Sequence, residues 1–373
     1  MNDFLKLAAP GISDLHPYVP GKPLEELERE LGLSETIKLA SNENPLGPSP
    51  MGLEAARNAV VGIERYPDDS GYRLKGKLAE NLGVEPEQLI LGAGSSDVID
   101  MVARTFLAPG RNAVFSRYAF AMYPIYTTAA GAEARVAPAL PSDHPGMPYG
   151  HDLEAMAALI DEQTRVVFIA NPNNPTGTWL ERAALRDFLE GLPNHLVVVL
   201  DEAYTEYVTA PDFPDGIAWL DDFPNLIVTR TFSKIYGLAG LRVGYGVAGP
   251  ALIGIIGRVR HPFNVNVPAL AAAEAALDDG SFLERSRRLN DAGLRQLAAA
   301  FDAMGLEHIP SVGNFITVAL PREGAGVYDD LLRKGIIVRP VANYGLPEHI
   351  RVTVGTEAEN ARFLQALEEV LAS

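Results

Sequence analysis

Short apolar runs separated by helix-length stretches recur between about residues 85 and 250, and they constrain the fold more than any other feature of the sequence. Strands that alternate with helices predict an α/β fold, a mostly parallel sheet with helices on both faces. The run from 197 to 200 is apolar at every position, as expected of a strand covered on both sides. The candidate strands are 88–91, 113–115, 166–170, 196–200, 226–229 and 243–247.

The length and the change of pattern along the chain predict two domains and an arm. At 373 residues the chain exceeds the size at which one hydrophobic core usually stops growing. Pro and Gly are frequent in the first 48 residues, which is typical of an extended segment. We therefore expect an N-terminal arm (1–48) that joins the small domain, a large ligand-binding domain (49–266) and a small α+β domain (267–373).

Composition narrows the classes of partner. With 31 basic and 48 acidic side chains the formal net charge is −17, so no nucleic-acid partner is expected. The sequence has no cysteine, and none of its seven histidines forms an i, i+4 pair with a carboxylate nearby, so no metal site is expected. Neither a membrane-spanning run nor a signal-peptide pattern is present, which favours a cytoplasmic enzyme without a membrane partner.

Polar residues follow three of the candidate strands, at 171–177, at Asp201 and at 231–234. Ligands of open α/β sheets bind outside the carboxyl ends of the strands, so these groups are expected to share one crevice. A carboxylate such as Asp201 at the end of an apolar strand needs a cationic or proton-donating partner, for example a protonated heteroaromatic nitrogen. A helix N-cap is the alternative for Asp201.

Lys234 stands among apolar and small residues that could lower the pKa of its amine enough for Schiff-base chemistry. Most lysines are solvated surface charges, so the neighbours of this one decide its interpretation. Thr231, Ser233 and Arg242 supply hydroxyls and a guanidinium that suit a phosphate. A phosphate next to an activated lysine indicates pyridoxal phosphate.

The glycine-rich segment 92–97 (G-A-G-S-S-D) precedes a predicted helix over 98–106. Free N–H groups at a helix start favour an anion, which makes this turn a second candidate element of a phosphate site. An ordinary turn between a strand and a helix is the alternative, because the full dinucleotide and P-loop fingerprints are absent.

Together the motifs N-N-P-T-G (173–177), D-E-A-Y (201–204) and T-F-S-K (231–234) with Arg242 resemble those of the fold-type I pyridoxal-phosphate aminotransferases. The segments 18–23, 41–48 and 350–355 look like those of the histidinol-phosphate aminotransferases in particular. The resemblance covers nearly the whole chain. One departure is Ser96-Asp97, where members of the family commonly carry Asp-Glu.

The resemblance implies roles for individual residues around the cofactor pyridoxal 5'-phosphate. Lys234 would form the Schiff base and move the substrate proton, and Asp201 would pair with the pyridinium nitrogen. Asn174 and Tyr204 would bind the phenolic oxygen. Tyr118 would stack on the ring, although a core aromatic is the alternative for it.

The same resemblance implies the remaining contacts and the assembly. A homodimer with shared active sites is expected. Arg351 would clamp an anionic group of the substrate, the alternative being a surface arginine, and Tyr18, Asn44 and Arg339 would select the substrate side chain. The phosphate would be held by Ser95, Ser96, Thr231, Ser233 and Arg242, with Tyr66 reaching over from the second subunit.

The activity implied is amino transfer from L-glutamate to imidazole-acetol phosphate, which gives L-histidinol phosphate and 2-oxoglutarate in histidine biosynthesis. The partners are thus a small-molecule amino donor and a 2-oxo acid. Three alternatives stay open: an aminotransferase of Phe and Tyr, a phosphothreonine-type decarboxylase, and a cofactor-binding regulator without turnover.

Overall fold

The computed structural model describes residues 4–9, 11–15, 17, 20–33 and 35–372. Its α-helices are α1 (Leu24–Leu31), α2 (Pro50–Ala59), α3 (Tyr72–Leu82), α4 (Ser95–Phe106), α5 (Met122–Ala129), α6 (Leu153–Ala158), α7 (Arg182–Glu190), α8 (Pro250–Ile256), α9 (Val267–Ala276), α10 (Gly280–Met304), α11 (Gly324–Arg333) and α12 (Glu357–Leu371). Its strands are β1 (Ile37–Lys38), β2 (Leu89–Gly92), β3 (Asn112–Ser116), β4 (Glu133–Ala137), β5 (Thr164–Ala170), β6 (Val197–Asp201), β7 (Leu226–Thr231), β8 (Gly244–Ala248), β9 (His308–Ile309), β10 (Phe315–Ala319), β11 (Ile336–Ile337), β12 (Arg339–Val341) and β13 (Leu346–Thr353).

The large sheet has seven strands in the order β2-β8-β7-β6-β5-β3-β4. Strand β8 runs antiparallel to both of its neighbours, and the other pairings are parallel. The expected α/β fold with a mostly parallel sheet is confirmed. The sequence did not predict β4, an edge strand, because it reads E-A-R-V-A and is largely solvent-accessible, so it lacks the apolar run of the inner strands.

Strand β6 shows why its residues are apolar at every position. Val198 and Leu200 belong to one hydrophobic cluster, and Val197 and Val199 belong to another on the opposite face of the sheet. Alternate side chains of a strand point to opposite faces, so a sheet covered by helices on both sides buries all four. Because both faces of the strand are packed, the position of its carboxyl end, which carries Asp201, is well defined.

The small domain is built on a four-stranded antiparallel sheet in the order β12-β13-β10-β9. Helices α10, α11 and α12 contribute to its own hydrophobic cluster, which also contains Leu39 from the N-terminal segment. Strand β1 of that segment pairs in parallel with β11, with Ile37 opposite Ile336. The arm therefore enters the small domain before it reaches the large one.

Helix α9 packs with the large domain. Its buried residues Ala269, Ala272, Ala273 and Ala276 belong to the cluster of the large sheet, and the alanines let α2 approach closely. A Cβ on Gly52 of α2 would lie 3.1 Å from the backbone oxygen of Ala272. Because of this packing we propose a domain boundary after α9 rather than at residue 267. The sequence could not place α9, since an alanine-rich helix carries no signal for either domain.

Within the described ranges, no helix combines the length and the apolar character that crossing a bilayer demands.

Candidate active site

Strands β5, β6 and β7 end at one cavity, which also receives residues from the arm and from the small domain. Ten of the predicted site residues line it together: Ser95, Ser96, Asn174, Asp201, Tyr204, Thr231, Ser233, Lys234, Arg242 and Arg351. The other lining residues are Ser41, Asn42, Phe120, Ala170, Pro172 and Ala203. Because parallel strands carry their carboxyl ends to the same edge, residues far apart in sequence meet here.

Asp201 is the last residue of β6 and is only 5% exposed. The hydroxyl of Tyr123 donates to its Oδ2 at 2.9 Å, and that of Thr229 donates to its Oδ1 at 3.0 Å. Burial raises the pKa of Asp201 to about 6, and the two hydrogen bonds and the charge of Lys234 oppose the rise. The next helical turn is capped by Tyr204, so Asp201 is no N-cap but a buried acid facing the cavity.

Lys234 lies just beyond β7, and its Nζ donates to the carbonyl oxygen of Ser41 at 3.3 Å. The same Nζ lies 5.6 Å from the centre of the Tyr204 ring. Burial and, next, the positive charge of Arg351 lower the pKa of Lys234 to about 8. A lowered pKa increases the neutral amine fraction near neutral pH, which is the form that acts as nucleophile or base.

The hydroxyl of Tyr204 accepts a hydrogen bond from Nδ2 of Asn42 at 2.9 Å. Burial raises the pKa of Tyr204 to about 12. The phenol therefore keeps its proton at neutral pH and acts through hydrogen bonds. The amide of Asn174 also lines the cavity, and its oxygen accepts a hydrogen bond from Arg351.

An anion cradle forms where the turn 92–97 meets Arg242. Helix α4 begins at Ser95 without a side-chain cap, so its first N–H groups are available to an anion. A Cβ on Gly94, which has φ +88°, would collide with the guanidinium of Arg242. Arg242 donates to Oγ of Ser233 at 3.1 Å, which holds the guanidinium next to the hydroxyls.

Asp97 explains how the turn keeps its shape despite the departure at 96–97. Its carboxylate accepts from the backbone N–H of Ala93 at 2.9 Å and from Nδ2 of Asn264 at 2.7 Å. It thus braces the turn from behind, while Ser96 faces the cavity. Backbone geometry rather than an acidic pair at these two positions defines the cradle.

Arg351 of β13 is 5% exposed, which rules out the alternative of a surface arginine. One Nη donates to Oδ1 of Asn174 at 2.5 Å, and the other donates to the carbonyl oxygen of Ala40 at 2.6 Å. The guanidinium lies 5.3 Å from the centre of the Phe315 ring. Its position joins the small domain, the arm and the large domain at the cavity.

Tyr118, which was expected to stack on the cofactor ring, does not line this cavity, and Phe120 of the same turn does. Phe120 lines the cavity, whereas Tyr118 packs edge-on against Tyr149 at 5.5 Å. Both aromatics belong to the turn between β3 and α5, where no strand or helix period tells which one points inward. The sequence predicts this turn for the cavity but does not distinguish Phe120 from Tyr118.

Two of the residues expected to select the substrate side chain do not line this cavity. Asn44 is buried and donates to the carbonyl oxygen of Ile235 at 2.7 Å and to Oγ of Ser286 at 2.9 Å, so it braces the arm. Arg339 lines a separate cavity that it shares with Arg117. Tyr18 lies outside the described residues.

Tyr66 does not line the cavity of its own chain. It is 81% exposed, and its ring stacks on Phe263 with 4.6 Å between the centroids. If Tyr66 contacts such a cavity, it is the cavity of a second chain.

Sequence reasoning missed Ser41, Asn42, Phe120 and the Asp201 donor Tyr123. The first two lie within the S-N-E-N-P segment, in which the sequence alone does not distinguish them from Asn44. Tyr123 reads as an ordinary core aromatic, stacked on Phe168 with 4.8 Å between the centroids, and only the fold reveals its hydroxyl contact.

The fold and the cavity define an aminotransferase. The family model described as "Aminotransferase class I and II" matches residues 34–367, and the chain belongs to this family. The predicted family and fold type are thereby confirmed.

Comparison with individual proteins narrows the class. The chain is 58% identical over 372 residues to histidinol-phosphate aminotransferase 2 of Pseudomonas fluorescens, with 99% of each chain covered. It is 58% identical over 365 residues to the protein of the same name from Methylococcus capsulatus, with 98% of each covered. The crystal structure of histidinol-phosphate aminotransferase from Sinorhizobium meliloti in complex with pyridoxal-5'-phosphate matches with a TM-score of 0.88, at 30% identity and 97% coverage of both chains. Within its class the chain thus belongs with the histidinol-phosphate aminotransferases.

Proposed function

We propose that this cavity binds pyridoxal 5'-phosphate and that the chain is a pyridoxal-phosphate-dependent aminotransferase. The donor set fits the group. Lys234 supplies an amine, Asp201 a carboxylate for a ring nitrogen, and the start of α4 an anion cradle. The close approach of Gly94 to Arg242 leaves no room for a side chain, as a backbone-lined phosphate site requires.

The remaining contacts follow from the residues that line the cavity. Ser95, Ser96, Thr231, Ser233 and Arg242 would hold the phosphate. Asn174 and Tyr204 would bind the phenolic oxygen. Phe120, rather than Tyr118, would lie against the ring.

When bound, pyridoxal phosphate supplies an electron sink for the carbanion left by loss of a substrate proton. Asp201 would keep a positive charge on the ring nitrogen, because a cation next to this buried carboxylate relieves the cost of its ionisation. Lys234 would anchor the cofactor, and its Nζ, once released by the incoming substrate amine, would accept the proton of the substrate α carbon and return it. Arg351 orients the substrate through its anionic group.

The substrates we assign are histidinol phosphate and 2-oxoglutarate, which are converted reversibly to imidazole-acetol phosphate and L-glutamate in histidine biosynthesis. The observation that carries this assignment is 58% identity, over 99% of the chain, to a curated enzyme of that name. The ten predicted residues that line the cavity support it, because this sequence keeps the side chains that an aminotransferase needs for its chemistry.

We also propose that the enzyme is a cytoplasmic homodimer in which Tyr66 reaches the cavity of the partner. Val61, Ile63 and Tyr66 are large hydrophobic side chains that are exposed in the single chain, and the ring of Tyr66 stacks on Phe263. A second copy would remove such side chains from water. The cytoplasm is proposed because it holds the small, charged metabolites of amino-acid biosynthesis.

A single-turnover panel tests the substrate assignment. The cofactor-loaded enzyme is mixed with histidinol phosphate, phenylalanine, tyrosine, aspartate or phosphothreonine, and the change in cofactor absorbance is followed. Histidinol phosphate should react fastest. Faster reaction with phenylalanine or tyrosine would favour an aromatic aminotransferase, and release of CO₂ from phosphothreonine would favour a decarboxylase. Absence of any conversion would point to a regulator.

A further inference from the structure

Three successive residues of the arm, 40–42, contact three side chains of the cavity. The carbonyl oxygens of the first two accept hydrogen bonds from Arg351 at 2.6 Å and from Lys234 at 3.3 Å. The side chain of the third, Asn42, donates to the hydroxyl of Tyr204 at 2.9 Å. The arm thus holds the polar side chains around the place where the chemistry occurs.

The side-chain amide of Asn42 has a fixed orientation because Thr353 bonds both to the backbone N–H and to the side-chain oxygen of this residue. The backbone N–H of Asn42 donates to Oγ1 of Thr353 at 2.9 Å, and this N–H can only donate. Oγ1 therefore accepts there and directs its own hydrogen to Oδ1 of Asn42, 3.0 Å away. With Oδ1 facing Thr353, the Nδ2 group must face Tyr204.

The backbone of Asn42 supports the same arrangement. Its φ is +54°, a left-handed conformation that asparagine tolerates better than most residues. Its carbonyl oxygen accepts from Nδ2 of Asn314 at 3.0 Å, and the residue is buried. The side chain can therefore neither rotate into solvent nor exchange its two ends freely.

An amide Nδ2 is a donor only, so the oxygen of Tyr204 must accept from it. The single hydrogen of the phenol is then left to point elsewhere, and Tyr204 itself lines the cavity. We propose that Asn42 is a positioning residue that commits the hydroxyl of Tyr204 to donate into the cavity. The role rests on the proposed function, in which an anionic phenolic oxygen of the cofactor receives that hydrogen.

Burial keeps the phenol protonated, since it raises the pKa of Tyr204 to about 12. What Asn42 controls is therefore the direction of the hydroxyl rather than its ionisation. A donor aimed at the phenolic oxygen stabilises the anion and lowers the pH at which the cofactor-linked Lys234 loses its proton. Loss of that donor raises this pH.

The substitution Asn42→Asp tests the direction directly. A carboxylate of nearly the same shape can only accept, so it would draw the hydrogen of Tyr204 away from the cavity. The readout is the midpoint of the pH-dependent absorbance change of the pyridoxal-phosphate-loaded enzyme. We expect the midpoint to rise by about one pH unit, with weaker retention of the cofactor on dialysis.

A double-mutant cycle with Tyr204→Phe separates an effect of Asn42 through the hydroxyl of Tyr204 from a direct effect of the new charge. In the Tyr204→Phe background the Asn42→Asp substitution should move the midpoint much less than in the wild type. An equal shift in both backgrounds, or no shift in either, would overturn the proposal.

Asn42→Gly provides a second test, because it introduces no charge and should not disturb the fold of the arm. Glycine adopts the left-handed backbone without strain, so the arm should keep its path. The midpoint should still rise, by less than in Asn42→Asp, and an unchanged midpoint would contradict the proposal. If the wild-type protein itself takes up no cofactor, the proposed function fails. If the wild type titrates normally and the midpoints of the variants do not shift, only the positioning role of Asn42 is overturned.

Discussion

At the scale of single residues, the carboxylate of Asp201 is held by two hydroxyls that come from different elements. Tyr123 lies on α5 and Thr229 on β7, and each donates to one of the two oxygens. Two donors stabilise the charged form of an acid whose burial disfavours charge. They also fix the plane of the carboxylate, and hence the direction in which it meets a cation in the cavity.

Tyr123→Phe should remove one of these donors while keeping the ring stacked on Phe168. Hydrogen bonds to charged groups contribute about 1.5–3 kcal/mol, so we expect cofactor affinity or kcat to fall by roughly tenfold or more. The measurements are the pyridoxal phosphate dissociation constant and steady-state kinetics. Tyr236→Phe, another buried tyrosine, is the matched control, and equal effects of the two variants would argue against a role of Tyr123 through Asp201.

Residues that carry charge or a nucleophile were predictable, whereas those that position them were not. Asp201 and Lys234 follow apolar strands, and Arg242 belongs to the same motif as Lys234, so each has a chemical reason to be singled out. Asn42 and Tyr123 act through contacts across 162 and 78 positions of sequence. No local pattern encodes such distant partners, so only the fold brings them into view.

At the scale of elements, the start of α4 and its glycine turn show how local sequence makes a binding site. Gly94 takes φ +88°, and Gly244 of the adjacent β8 lies against the backbone nitrogen of Ser95. Both positions need glycine, because a Cβ would fill the space beside the cradle. The inner strands were predictable from their apolar runs, but the edge strand β4 and the domain membership of α9 were not, since packing decides them.

Gly94→Ala should weaken phosphate binding, because its Cβ would displace the guanidinium of Arg242 and the residue would carry an unfavourable φ. We expect a rise in the dissociation constant for pyridoxal phosphate of about tenfold or more and a loss of roughly 1 kcal/mol in the free energy of unfolding. Equilibrium dialysis and urea denaturation measure the two effects.

Gly76→Ala is the matched control for that change. Gly76 lies in α3 with open space around its missing Cβ, so alanine there should stabilise the helix by about 0.5–1 kcal/mol without changing cofactor binding. Unchanged cofactor affinity in Gly94→Ala would mean that the cradle does not depend on this turn.

At the scale of the whole molecule, the cavity exists only because three parts of the chain meet. Arg351 of the small domain bonds to Asn174 of the large domain and to Ala40 of the arm. A further interdomain bond joins the hydroxyl of Thr317 to the carbonyl oxygen of Pro175 at 2.5 Å. Small movements between the domains would therefore change the position of the guanidinium relative to the strand ends.

Arg351→Ala should raise KM for histidinol phosphate by about a hundredfold, because loss of a buried charged partner typically costs 2–5 kcal/mol. The absorbance of the bound cofactor should change little, since Arg351 is assigned to the substrate. Steady-state kinetics and the visible spectrum measure the two effects. Arg333→Ala, a surface change in the same domain, is the control, and an unaltered KM in Arg351→Ala would move substrate clamping to other residues.

We propose that the cavity at the strand ends attaches pyridoxal phosphate through Lys234. Borohydride reduction of the loaded enzyme followed by peptide mass analysis locates the cofactor on the chain. The label should appear on the peptide that contains Lys234, and Lys234→Ala should be unlabelled and inactive while its unfolding transition stays cooperative. A label on another lysine, or an active Lys234→Ala enzyme, would contradict the account.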